Sequence, residues 1–120
     1  MRILIEVKPY SAMRYPTIGD YFLDEHGMKF EVAELGDWRM NYLVMIHELI
    51  ESALCEHRGI AETCIKAFDE AHLDSDDPGS LPHAPYRSEH LFAEQIERLI
   101  AAELGVDWDE YDAAVKRAVG

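Results

Sequence analysis

The hydrophobic period of the chain changes once, between residues 34 and 37, and that change limits the fold more than any other feature. Before it, Ile3, Ile5 and Val7 alternate with Leu4 and Glu6, and the segments Tyr21-Leu23 and Met28-Ala33 flank Asp24-Glu25-His26-Gly27. Short alternating runs separated by turn formers read as strands, and a Gly able to take positive φ marks a hairpin. Strand one covers residues 2 to 7 and stops at Lys8-Pro9, because Pro cannot donate to a sheet interior. After residue 37 apolar residues recur at helical spacing. The expected fold is a single α+β domain. Residues 1–36 form a small, mostly antiparallel sheet of about three strands, and residues 37–120 supply about four helices packed on it.

Helix ends are written in the sequence. Asp37 is placed to cap the first helix, which should run to His57-Arg58-Gly59, where Gly suits the left-handed stop. A second helix, about Ala61 to Ala71, should bury Cys64, Ile65, Phe68 and Ala71. Residues 73 to 87, with Pro78, Pro82, Pro85 and the acidic Asp74-Ser75-Asp76-Asp77, make the longest loop, of a length that often carries function. Ser88 is the expected cap of a third helix ending at Leu104-Gly105. Asp107-Trp108-Asp109-Glu110 has capping-box spacing and begins a fourth, to about Ala118.

Twenty-four acidic against eleven basic residues give a formal charge of −13. Such a charge repels phosphate backbones and anionic membrane surfaces, so direct nucleic-acid binding is not expected. It suits a cation site or a basic protein partner. No run approaches the roughly 20 apolar residues of a membrane span, and the N-terminus has no signal-peptide pattern, so the expected compartment is the cytoplasm. Cys55 and Cys64 lack C-x-x-C spacing and read as buried free thiols.

The run Ile46-His47-Glu48-Leu49-Ile50-Glu51 carries the chemistry. On a helix, His47 and Glu51 stand about 40° apart. Projection of residues 40 to 56 gives an apolar face of Leu43, Ile46, Leu49, Ile50, Ala53 and Leu54. His47 and Glu51 lie on its flank, while Asn41, Glu48, Ser52 and Glu56 point to the polar side. A partly buried carboxylate needs a partner, a hydrogen bond or a metal. On the third helix Leu91, Phe92, Ile96, Leu99 and Ile100 define the expected buried face. Glu89 falls inside it, with His90, Glu94 and Glu97 along one edge. His90 is the first candidate for a third ligand, with Glu89, Glu94, Glu97 and Asp69 as alternatives. Ser52 has no His in a defined relation to it, so a serine nucleophile has little support. Trp38, Tyr42, Trp108 and Tyr111 read as core or rim aromatics.

His47-Glu48-Leu49-Ile50-Glu51 resembles the active-site helix of zincin-type metalloenzymes, whose motif is His-Glu-x-x-His. The resemblance covers one helix. It implies His47 as first ligand, Glu48 as general base beside a metal-bound water, and Glu51 in place of the second ligand His. That departure weighs against peptidase chemistry, although a carboxylate is a legitimate zinc ligand. Over residues 38 to 115 the strings around His47, Phe68-Asp69, Ala84-Pro85-Tyr86-Arg87, Glu89-His90-Leu91-Phe92-Ala93 and Gly105-Val106-Asp107-Trp108 look like a group of small phage and prophage proteins with no assigned activity. The leading expectation is a metal-binding protein with His47, Glu51 and His90 as ligands and Glu48 as proton acceptor. Zinc is the first choice, and the activity would be metal-dependent hydrolysis of an unknown substrate. The alternatives are a non-enzymatic acidic phage or prophage protein that covers a basic host surface and, third, a magnesium-dependent nucleotide pyrophosphatase. The third lacks its second Glu-x-x-Asp element in the expected interval.

Overall fold

The alternating segments form strands and the periodic segments form helices. In a computed structural model describing residues 1–120, the elements in chain order are β1 (Ile3–Lys8), β2 (Gly19–Asp24), β3 (Gly27–Ala33), α1 (Trp38–His57), α2 (Glu62–Ala71), α3 (Arg87–Glu103) and α4 (Trp108–Val119). Short 3-10 turns occur at Tyr10–Ala12 and Pro78–Ser80. The fold is α+β as the periodicity predicts.

The sheet has the order β1-β3-β2. β2 and β3 form the expected antiparallel hairpin, with Tyr21 opposite Phe30 and Asp24 opposite Gly27. β1 pairs with β3 in parallel, Ile5 beside Phe30 and Val7 beside Val32. The expectation of a mostly antiparallel sheet therefore becomes a mixed one, with one ladder of each kind. Alternation reports which face a side chain takes and not the direction of the neighbouring strand, so the pattern carries no signal for this. β1 is an edge strand, and Ile3, Leu4 and Val7 remain exposed on it.

Two apolar clusters hold the layers together. Ile18, Val32, Ala33, Leu43, Val44, Ala101, Val106 and Tyr111 form one. Tyr21, Phe30, Cys55, Ile65, Ala84 and Tyr86 form the other. α1 spans both, with Leu43 and Val44 in the first and Cys55 in the second. Between them, on the same side of the helix, lie His47 and Glu51.

That placement turns α1 relative to its expected orientation. Its buried residues are Asn41, Leu43, Val44, His47, Glu51 and Cys55. Ile46, Leu49 and Ile50 are only half-buried and Ala53 is exposed. The inward face is thus rotated by roughly a third of a turn from the apolar one. α3 behaves alike: Glu89, Ala93, Glu97 and Ala101 are buried, whereas Phe92 and Leu99 are 47% and 65% exposed. The two helices face each other through their polar edges.

Caps agree in part. The Asp37 carboxylate accepts from Arg39 N at 2.9 Å, and that of Asp107 from Glu110 N at 3.0 Å. Ser88 does not cap α3, which begins one residue before it with Tyr86 at the N-cap position. Cys64 and Ala71, expected inside, are exposed on α2, while Cys55 is buried as expected. Only Ile65 of that helix is fully buried.

Candidate metal centre

Two turns of α1 and the first turn of α3 bring three ligand atoms into a triangle. His47 Nε2 is 3.0 Å from Glu51 Oε2 and 3.0 Å from His90 Nδ1, and His90 Nδ1 is 2.9 Å from Glu51 Oε2. Ligands about 2.0–2.2 Å from one ion and near right angles to each other stand about 3 Å apart. The set can hold a metal ion.

What surrounds the triangle fixes its chemistry. His47 Nδ1 lies 2.7 Å from Glu97 Oε1, and His90 Nε2 lies 2.8 Å from Asp77 Oδ1. An ionised carboxylate only accepts, so each imidazole carries a proton on its outward nitrogen. When the rings are neutral, the inward nitrogens therefore present lone pairs toward a Glu51 oxygen. Three acceptors 3 Å apart repel unless protons or a cation lie among them. Carboxylates behind metal-binding histidines set tautomer and ring angle in the same way. Tyr111 OH donates to Glu97, and Tyr21 OH donates to Glu51 Oε1 at 3.2 Å. Asp77 is in turn hydrogen-bonded by Ser80.

Protonation follows from this geometry. Burial alone would lower the basicity of both imidazoles, but the hydrogen bonds that Glu51 and Glu97 accept raise His47 well above its ordinary range. Those that Asp77 and Glu51 accept raise His90 to about 9. Glu51 is opposed by burial, yet the two histidines hold it at about 2. Without a metal the cluster stores protons; with one, these are the protons to be displaced.

Glu48 is the exception among the acids. It lines the same cleft, half-buried, and takes no part in the hydrogen bonds and ion pairs that engage the neighbouring carboxylates. Its carboxyl is raised well above the usual range, chiefly by burial and then by the charge of Glu51. Its expected place on the polar side is corrected: it turns inward, over β2. A Cβ on Gly19 would stand 2.5 Å from Glu48 Oε1, so the missing side chain is what lets Glu48 lie there. Gly79 does the same for His90, whose ring a Cβ would approach to 2.4 Å.

The cleft has a volume of about 380 Å³ and opens beside the triangle. Asp69 lies in its wall, but its carboxylate accepts from the Tyr15 and Tyr86 hydroxyls rather than joining the ligand set. Burial, the largest influence, raises it to about 6. Glu94 also lines the cleft. Glu89 is buried elsewhere and paired with Arg58 Nη1 at 2.7 Å. Glu97 stands behind His47. Of the alternatives to His90 none reaches the triangle. Ser52 Oγ donates to Leu49 O at 3.0 Å and has no His partner.

Sequence reasoning passed over Asp77, Tyr21 and Tyr111. Asp77 was one acid among three in a proline-rich loop, with no spacing to tie it to His90. Tyr111 carried only the pattern of a core aromatic. No protein-family model, curated protein or solved structure matches the chain. Function must therefore be argued from the site itself.

Proposed function

We propose that this protein is a metal-dependent hydrolase of zincin-like character, with His47, Glu51 and His90 binding one divalent ion and Glu48 serving as the base. The convergence of three acceptor atoms, each histidine backed by its own carboxylate, carries the reading. Two imidazoles and one carboxylate form a three-ligand set of the kind that catalytic zinc uses, leaving a position for water. Iron and manganese accept the same set, and edges of 2.9–3.0 Å suit the near-right angles those ions prefer. Zinc remains the first choice for two imidazoles and a carboxylate.

The roles divide by position. Glu97 and Asp77 hold the ring tautomers, and Tyr21 fixes the free oxygen of Glu51. An ion held by His47, Glu51 and His90 would supply the electrophile and acidify water beside it. Glu48, unpaired in the cleft wall, takes the water proton. A divalent charge beside it would oppose the effect of burial and favour its ionised form.

The test is metal analysis of protein purified without a His tag, beside His47→Ala. A tightly held equivalent in the parent that is lost in the variant is the expected result. Metal-free but correctly folded parent that takes up no zinc on titration would remove the reading. Glu48→Gln should then keep the metal and lose hydrolysis in a peptide, ester and nucleotide screen. Unchanged turnover would leave a structural metal.

A further inference from the structure

Outside the cleft, the C-terminal end of α2 and the proline-rich loop bring a second pair of histidines together. His72 Nε2 and His83 Nε2 are 3.3 Å apart, and neither lines the cleft. His72 Nδ1 lies 2.8 Å from the Phe68 carbonyl oxygen. A carbonyl only accepts, so Nδ1 carries the ring proton and the neutral ring shows a lone pair at Nε2. The pose of both rings is set by the same aromatic neighbour. Phe68 stacks on His72 with centroids 4.0 Å apart and meets His83 edge-on at 5.3 Å.

We infer that His72 and His83 form a second metal site, a solvent-facing two-imidazole clip for zinc. Two nitrogens each about 2.0–2.1 Å from a tetrahedral ion stand about 3.3 Å apart, and these atoms already hold that spacing. Water completes the coordination, so affinity is lower than at a site with three protein ligands. The tautomer is set by a backbone carbonyl, as at metal histidines generally. The clip closes residues 73–82 into a ring, and that ring contains Asp77, the carboxylate behind His90. Zinc there spans the loop that carries Asp77 without sharing an atom with the first site.

The site is independent of the proposed hydrolase, and zinc titration of the full chain by calorimetry separates the two. The parent is expected to bind two equivalents of unequal affinity. His72→Ala and His83→Ala each weaken only the lower-affinity event, by about tenfold or more. Glu51→Gln weakens only the higher one. His26→Ala and His57→Ala, at other exposed histidines, change neither. The inference is overturned if His83→Ala leaves the titration of the parent and of Glu51→Gln unchanged, or if the His26 and His57 variants lose as much zinc as His83→Ala. His83 is exposed and His72 is half-buried at the end of α2, so His83→Ala gives the readout that loss of fold does not obscure. Loss of the higher-affinity event alone counts against the hydrolase and leaves the clip standing.

Discussion

Glu97 and Glu51 stand on opposite sides of one imidazole, and their substitutions should separate holding a metal from orienting its ligand. Glu51→Gln removes a charged oxygen of the triangle and should weaken the higher-affinity zinc event by more than about 100-fold, into the range in which it is no longer detected, while keeping the helix. Glu97→Gln keeps a hydrogen-bond acceptor at His47 Nδ1 but removes its charge, so affinity should fall about 10-fold rather than vanish, the range expected for partners behind a ligand. Competition against a chromophoric chelator measures both. Equal losses in the two variants would make Glu97 a ligand and not a support. At this scale much was legible beforehand: the i, i+4 spacing of His47 and Glu51 and the position of His90 at a helix start picked out the three residues that the structure brings together in a group able to hold a metal. Asp77 was not legible, because its partner lies 13 residues away across a loop whose path no periodicity describes.

At the scale of elements, α1 and α3 show what an apolar count misses. Hydrophobic projection assumes that polar residues face water, and it fails where a helix directs polar residues inward to a site. On α1 the inward line runs through Val44, His47, Glu51 and Cys55, so residues expected on the flank lie at its centre and Asn41, expected on the polar side, is buried. Ala93 and Ala101 allow α3 to approach this line closely. Asn41 is a case of its own: its Oδ1 accepts from Leu35 N at 2.9 Å and its Nδ2 donates to Glu34 at 3.0 Å, which fastens the β3–α1 connection. Asn41→Ala should therefore destabilise the fold by about 1–3 kcal/mol, since it leaves the Leu35 amide without its partner. Urea unfolding gives the number, and zinc affinity per folded molecule should not move. A stability within experimental error of the parent would mean that water replaces the side chain there.

For the whole molecule, pH and charge state what the site asks of its surroundings. His90 at about 9 stands above its unfolded value of 6.5, so its contribution to stability is complete below pH 6.5 and is lost as pH rises through 9. Glu51 at about 2 stands below its unfolded value, so its contribution is present above pH 4.5 and is lost as pH falls through 2. Metal-free protein should thus melt progressively lower between pH 6.5 and 9, with Glu48, raised by burial, acting in the same direction as it ionises. Zinc reverses the trend, because it binds the deprotonated rings and gains as protons become scarce. Parallel melting curves with and without zinc across that interval would contradict a shared site for protons and metal. The cleft around the site is acidic as well: Glu62, Asp76, Glu94 and Asp112 line it with the site's own carboxylates. Its bases are already engaged, Arg14 by Asp20 and Glu62, Lys66 by Glu70, and Lys116 by Asp112. A phosphorylated substrate would find no free cation there except the metal, which disfavours nucleotides, and a basic peptide would be drawn in. The expected outcome is that kcat/KM for a Lys- or Arg-flanked peptide falls as salt rises from 0.05 to about 0.5 M, because screening removes the attraction. For an anionic substrate the slope has the opposite sign. A nucleotide turned over faster than any cationic peptide, with activity that falls with salt, would overturn this assignment of substrate charge.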